Sequence, residues 1–527
     1  MKFRPKEGFG PKDKRLLAIS ALIMLFVSSY LLGAFYLLYH IPYESTMKYE
    51  IDSSKFMEAE YSDMREFADL FNMYYQNNHT PLDYTLTVYW NSSNYKKIDH
   101  FGTAGDAAIW SGMNLAAQSF HYAAARKAED EQETEYAIEL VKKALKGVSI
   151  LIAVPSGGVG EGYPAILSRS VCPKNWTELG NPLIDSFTDE KVLDEDDVFD
   201  GAGQYSDWWW KGYPSTDQWS GIILGLGQCA RMFKNEQGGT IDWIKERVRV
   251  LAIQIIESFI KSNWMLLDLN RYGDSRTTGQ DFKMSLEMSG IWVLSILKMG
   301  MLAAPDRYTE LYYHYAYERN YINGIEMDYR MFNLHNYYSL NINFNMLTNL
   351  VSLEEDPALR TRYENIVNKI YYPIIRISRN AWFNMAFLYM MHNNERETYS
   401  ADEKLIVKDI EDQLMRFNKT RSPRNTTRIP ERGGDRNIPP YKLYNPTDKY
   451  RKNPLIASLY GWVLNLYDKE ILEYAKRTDE YHAVDFCWQR TTWEESPERP
   501  YTRQDSGLAF LLVYYIGRYL DLFPQGD

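Results

Sequence analysis

Cysteine is nearly absent. The chain of 527 residues holds only Cys172, Cys229 and Cys487, too few for a disulfide scaffold, and the odd number leaves at least one thiol unpaired within a monomer. No Cys-x-x-Cys or other zinc spacing occurs, so no metal ligand set is expected. The Gly-rich stretch "GGVGEG", residues 157–162, lacks the Gly-Lys-Ser/Thr ending of a phosphate loop. A Gly-x-Ser-x-Gly elbow is also missing, which removes support for esterase chemistry. Positive charge is in deficit: 59 Lys and Arg against 70 Asp and Glu give a net charge of −11, unlike a general nucleic-acid binder. No organic cofactor is implied.

Long apolar runs are rare except at the start. "LLAISALIMLFVSSYLLGAFYLLY", residues 16–39, carries no charge over 24 residues, enough at about 1.5 Å per residue to cross a bilayer of roughly 30 Å. Lys2, Arg4, Lys6, Lys12, Lys14 and Arg15 precede it against only Glu7 and Asp13, so the positive-inside rule keeps residues 1–15 cytoplasmic and exports the remainder. The run exceeds an ordinary signal-peptide core and no small-x-small site follows it clearly, so an uncleaved single-pass anchor in the cell membrane is expected. Five Asn-x-Ser/Thr sequons, at Asn78, Asn91, Asn175, Asn418 and Asn425, all lie beyond it and fit an extracytoplasmic, glycosylated domain.

Residues 40–100 read as an exported linker with one helix, "SSKFMEAEYSDMREFADLFNMYYQ". From residue 101 to 527 apolar residues recur at helical spacing, predicting helices near 105–126, 129–152, 217–234, 239–266, 281–301, 305–319, 333–351, 355–376, 379–392, 401–417, 455–477 and 504–522. Two kinds alternate. "AAIWSGMNLAAQSF" and "WSGIILGLGQCA" are apolar on nearly every face and rich in small residues, whereas "EDEQETEYAIELVKKALKGV" and "ADEKLIVKDIEDQLMRF" carry one charged face. The first kind is buried on all sides and the second meets water. That alternation predicts an all-α, double-ringed (α/α)6 toroid, or seven hairpins if the helix near 55–76 closes another. Trp-Ser-Gly occurs twice near the start of an inner helix, where small residues let neighbours approach closely.

These features, with "GDAAIWSGMNLAAQSFHYA", "EGYPAILSRS", "STDQWSGIILGLG" and "DFCWQRTTWEESP", resemble the (α/α) toroids grouped as six-hairpin glycosidase-like proteins. The resemblance covers roughly residues 100–522. It implies a sugar-active protein, by analogy an inverting glycoside hydrolase, although fold alone does not supply a reaction.

Glycoside hydrolysis usually needs two carboxylates, one acid and one base or nucleophile. Asp106 and Asp217 precede the repeated Trp-Ser-Gly units, at helix starts where the dipole favours an ionised base; N-capping is the plainer role for each. Glu161 or Asp207 would supply the acid, and Asp281, Glu287 and Asp505 are further carboxylates of the same rim. Trp110, Trp219 and the run Trp208, Trp209, Trp210 offer stacking faces for sugar rings, with His335 and Arg503 as polar partners; stapling the long insertion 153–216 onto the toroid is the alternative role of the tryptophan run. The acidic turn "DEDDVFDG" departs from a calcium loop because Val198 falls where a ligand belongs. Residues 418–453 carry ten Lys or Arg against three Asp or Glu; a solvated loop pairing with the acidic surface is the plainer role, and selection of an anionic glycan the functional one. The competing expectation is a non-catalytic surface protein that binds glycan or acts as a scaffold on the same toroid.

Overall fold

A computed structural model describes residues 15–16, 18–33, 50–51, 53–102, 105–176, 198–269, 275–281, 289–326, 337–392, 398–417, 419, 441–442, 477–480, 487 and 500–524. The chain is mostly helical, as its periodicity predicts. Twelve longer helices matter here: α1 (Tyr61–Tyr74), α2 (Ala107–Lys127), α3 (Glu131–Ser156), α4 (Thr216–Met232), α5 (Gly239–Lys261), α6 (Ser289–Ala303), α7 (Pro305–Tyr313), α8 (Tyr337–Ser352), α9 (Pro357–Ile366), α10 (Ala381–His392), α11 (Ala401–Met415) and α12 (Leu508–Tyr519). The helix expected over 455–477 lies outside the described residues.

Local chemistry sets several of the starts. Asp130 accepts the Glu133 N–H at 2.9 Å to open α3, and Gly157, at φ 85°, ends it in the left-handed conformation that glycine takes without strain. Asp356 accepts from Ala358 and Leu359 to open α9, and Ser400 with Glu403 forms a reciprocal capping box at α11.

Even-numbered helices are buried almost throughout; every side chain of α10 is covered. Contacts run α2 to α4 to α6 to α8 to α10 to α12, and α12 returns to α2. Each of these helices also packs on an odd-numbered partner: α3 on α2, α5 on α4, α7 on α6, α9 on α8, α11 on α10 and α1 on α12. The helix near 55–76 is thus the companion of the C-terminal helix, from opposite ends of the sequence. Phe71 meets Phe510 edge-on at 5.1 Å and Tyr61 lies 6.3 Å from Phe523, so the two run antiparallel.

Two glycines set the closest crossing. A Cβ on Gly112 would fall on the backbone of Gly221 and Ile222, and one on Gly221 would fall on the Ile109 carbonyl. The Trp-Ser-Gly repeat marks the pair of helices whose backbones touch.

Short strands decorate the helices. β1 (Thr87–Trp90) pairs with β2 (Ile98–Gly102) and, on its other side, with β8 (Arg503–Gln504). β3 (Ser170–Pro173), β4 (Val198–Asp200) and β5 (Trp208–Lys211) form an antiparallel sheet with β5 in the middle. β6 (Met265–Leu269) pairs with β7 (Ser275–Asp281). The tryptophan run is therefore a central strand rather than a loop, a position that aromatic residues favour through side-chain packing.

Helices α2 and α3 are fastened at their hairpin by charge. Glu133 takes both Nη groups of Arg518, one at 3.0 Å, and the Nε2 of buried His121 at 2.9 Å. Burial alone would raise the Glu133 carboxyl, but those hydrogen bonds and the Arg518 charge outweigh it and hold its pKa at about 2. Burial also pushes His121 down, despite Glu133, so the imidazole is neutral near neutrality. Among the described residues no helix is long and apolar enough to cross a membrane; residues 18–33 form a helix whose Leu22, Phe26 and Leu32 are exposed, and 34–39 lie outside the description.

Two outcomes follow from this packing. Gly221→Ala should cost about 1–3 kcal/mol by overpacking, read as a lower denaturant midpoint with an unchanged slope. The Glu133 contribution is full above its unfolded pKa near 4.5 and is lost as pH falls toward about 2, and protonating His121 acts in the same direction. Glu133→Gln should therefore be destabilising near neutrality, with a gap from wild type that narrows below pH 4.5 in denaturation curves taken at successive pH values.

Candidate functional site

The even-numbered helices run the same way. Gly221 backs onto Ile109 and Gly225 onto Leu115 along α2 and α4, while Ser220 meets Asn345 and Gln228 meets Ser352 along α4 and α8. Their N-termini therefore collect at one end. Toward the other end the helices meet and seal. Phe120 stands edge-on to Tyr389 at 5.0 Å and to Tyr519 at 5.7 Å. The Tyr389 hydroxyl donates to Gln228 Oε1 at 2.7 Å, and the Gln228 amide donates to Asn349 at 2.7 Å and Ser352 at 3.1 Å. Phe120, Tyr389, Gln228 and Asn349 are all buried, so a ligand is better admitted at the N-terminal end.

Arg169 ties that end together. It stands just before β3 and donates from Nη1 to the Gly105 carbonyl at 3.0 Å and from Nε to the Tyr213 carbonyl at 2.8 Å. The Gln218 amide donates to the same Gly105 oxygen. A Cβ at 105 would lie 2.7 Å from Arg169 Nη1, so a side chain there would move the guanidinium from this seat. Tyr213, in turn, has φ 63°, and its N–H donates to the buried carboxylate of Asp268 on β6 at 3.3 Å. The network bridges the entry to α2, the entry to α4 and strand β6.

Asp106 and Asp217 flank this contact, each one residue beyond or before the Gly105–Gln218 hydrogen bond. Asp106 occupies the N-cap position of α2, yet its carboxylate caps no helix N–H. The N-cap of α4 is Ser215, which leaves Asp217 in the first turn, and there its backbone carbonyl accepts from Ser220. Both carboxylates are half-buried. Plain capping does not account for either.

Other sequence candidates lie elsewhere. Glu161 is exposed and ion-paired with Arg307 at 2.7 Å, across to α7. Asp207 is exposed beside β5, with its carbonyl bonded to the Lys174 N–H at 2.8 Å. Trp219 is buried edge-on against Phe259 at 5.0 Å, and Trp110 is half-buried on α2. Trp210 is buried beside Phe199, with its indole N–H on the Asp200 carbonyl, while Trp208 and Trp209 keep part of their surface. Arg503 and Asp505, both half-buried, precede α12 at the same end as Asp106 but outside the Arg169 network. Asn91 and Asn175 are exposed sequon asparagines and Asn78 is half-buried. His335, Glu287, Asn418 and Asn425 lie outside the described residues, as does most of the basic segment 418–453.

Sequence reasoning missed Arg169, Tyr213, Gln218 and Asp268. Asp268 carried a signal: it is the one acid in "MLLDL", at a position that alternation turns inward. The other three act through backbone contacts that no spacing rule exposes. Another omission is the run "NINFNMLTN" of α8, whose Asn341, Asn343, Asn345 and Asn349 are fully buried. Asn343 accepts from the Trp292 indole at 3.1 Å, and Asn345 donates to Ser220 at 3.1 Å.

No protein-family model, no curated protein and no solved structure matches the chain.

Proposed function

We propose that the chain is an (α/α) toroid, anchored in the membrane by residues 16–39 and facing outside the cytoplasm, that acts on a glycan as a hydrolase through Asp106 and Asp217. The single observation that carries the reading is the hydrogen bond from Gln218 to Gly105, which joins the sequence neighbours of Asp217 and Asp106 on adjoining parallel helices, with neither carboxylate capping its helix. Six buried helices in a closed circuit of contacts, each backed by a more polar partner, support the toroid. The exposed apolar helix over 18–33 supports the anchor, because uncovered Leu and Phe side chains need a non-aqueous neighbour.

The chemistry is tested by incubating the full chain with a panel of neutral and acidic oligosaccharides and measuring reducing ends released. Asp106→Asn and Asp217→Asn should fold as wild type does by circular dichroism, and at least one should lower turnover by about a hundredfold, the lower end of what a positioned acid or base contributes. Full activity in both variants would make the pair structural. Binding without turnover, insensitive to both substitutions, would favour the glycan-binding module over the enzyme.

The topology has its own test. Protease added to intact cells should remove the large domain and leave a short N-terminal stub. Complete protection until lysis would reverse the orientation.

A further inference from the structure

Resting on the glycan reading just given, we propose that Arg169 recognises an anionic group of the glycan and that Tyr213 supplies the face on which a sugar ring stacks, so the substrate class is an acidic glycan.

Arg169 differs in its partners from the arginines that form ion pairs. Arg307, Arg376, Arg379, Arg416 and Arg518 each sit against a carboxylate. Arg169 has only the two backbone carbonyls of Gly105 and Tyr213, which leave its charge uncompensated and both N–H groups of Nη2 without an acceptor among the described residues. A guanidinium fixed through two of its nitrogens is preorganised to offer the third, and an anionic oxygen is the partner that forms the stronger, charge-assisted bond. The seat is built for it: Gly105 lacks the side chain that would displace Nη1.

Two further features point to a sugar rather than a bare anion. Gln218 is fully buried and its Oε1 has no hydrogen-bond partner, although its amide is committed to the Gly105 carbonyl. An unused buried acceptor is costly and suits a donor such as a ligand hydroxyl. Tyr213 keeps 53% of its surface exposed in a left-handed backbone conformation, where a bulky residue is a genuine outlier. Asp268 on its N–H and Arg169 on its carbonyl hold it there. Backbone strain retained at an exposed aromatic, beside an uncompensated cation, is the pattern expected where a ring presents its face to a ligand. Hydroxyl acceptor, cation and aromatic face belong to one network, adjoining Asp106 and Asp217.

The test uses the full chain and three matched probes in titration calorimetry: an unsulfated chondroitin hexasaccharide, the same hexasaccharide with its carboxylates reduced to alcohols, and its sulfated counterpart. Wild type should bind the carboxylate form at least about tenfold more tightly than the reduced form, the effect of one charge-assisted contact. A further gain with the sulfated probe would assign the anion as sulfate. Arg169→Gln should abolish the preference, lowering affinity for the carboxylate probe by more than for the reduced one. Gly105→Ala, which keeps the charge but displaces it, should reduce the preference as well. Tyr213→Ala should weaken all three probes alike. Equal affinity of wild type for the acidic and reduced probes, or a preference that survives Arg169→Gln, would overturn the role of Arg169 and leave the glycan reading standing. Failure of every probe to bind would overturn both together. The wild-type comparison decides the matter even where a variant does not fold.

Discussion

The backbone contact between α2 and α4 is the constraint on which the rest of the site depends. Gly112, Gly221 and Gly225 let the two helices cross with main chain on main chain, and no side chain of any size fits between them. Because both helices run the same way, this contact near their N-terminal ends also brings their entries together. Gly105 and Gln218 become hydrogen-bonded neighbours, and Asp106 and Asp217 follow as a consequence of chain connectivity. A wider crossing would separate the carboxylates without altering either helix. Glycine here costs helix propensity of roughly 1 kcal/mol per position and secures a geometry that propensity cannot supply.

Behind that contact the interior is held mainly by neutral amides near the axis and by charges at the margins. Gln118, Gln228, Asn343, Asn345 and Asn349 connect buried helices through donors and acceptors of modest individual worth. Charged groups sit where even-numbered helices meet their odd-numbered partners, and one arrangement recurs. His121 of α2 reaches Glu133, and His392 of α10 reaches Glu403 at 2.8 Å. In both hairpins the glutamate is the third residue of the odd-numbered helix, and its N–H is taken by the N-cap side chain, Asp130 or Ser400. One residue thus secures the helix start through its backbone and the hairpin through its carboxylate. Lys298 and Glu354, fully buried at 2.6 Å, and Arg379 with Asp409 and Asp412 add heavier charges whose separation from their partners would cost about 3–5 kcal/mol.

How much of this the sequence disclosed follows from which interactions are local. Alternation between wholly apolar and one-faced helices is a periodic signal, and it located the helices α2 to α11, although the expected 239–266 runs into strand β6 and the expected 281–301 begins on strand β7. The Trp-Ser-Gly pair was legible as a packing signal because small residues at a helix start have few other uses. The partnership of α1 with α12 was not, since it joins residues more than 400 positions apart and no local pattern encodes it. The tryptophan run read as a loop because its flanks were long and polar; strand pairing with Cys172 and Phe199 overrode that context. Of the site, Asp106 and Asp217 were visible through their repeated surroundings. Arg169 was hidden, because its partners are carbonyls that every residue possesses.

Aromatic content separates the structural tryptophans from the exposed tyrosine on physical grounds. Trp210 and Trp219 have their rings covered by Phe199 and Phe259, and the Trp210 indole is committed to a carbonyl, so both contribute through burial. Tyr213 is far less covered. Half of its surface faces water, its backbone is strained, and a glycine would occupy the same φ at no cost. A buried carboxylate and a guanidinium hold its backbone, through its N–H and its carbonyl. Arg169 gains two hydrogen bonds to backbone carbonyls, where Arg307, Arg376, Arg379, Arg416 and Arg518 gain a carboxylate. Arg169, Tyr213 and Gln218 thus share one hydrogen-bonded junction at the entries of α2 and α4, next in sequence to Asp106 and Asp217.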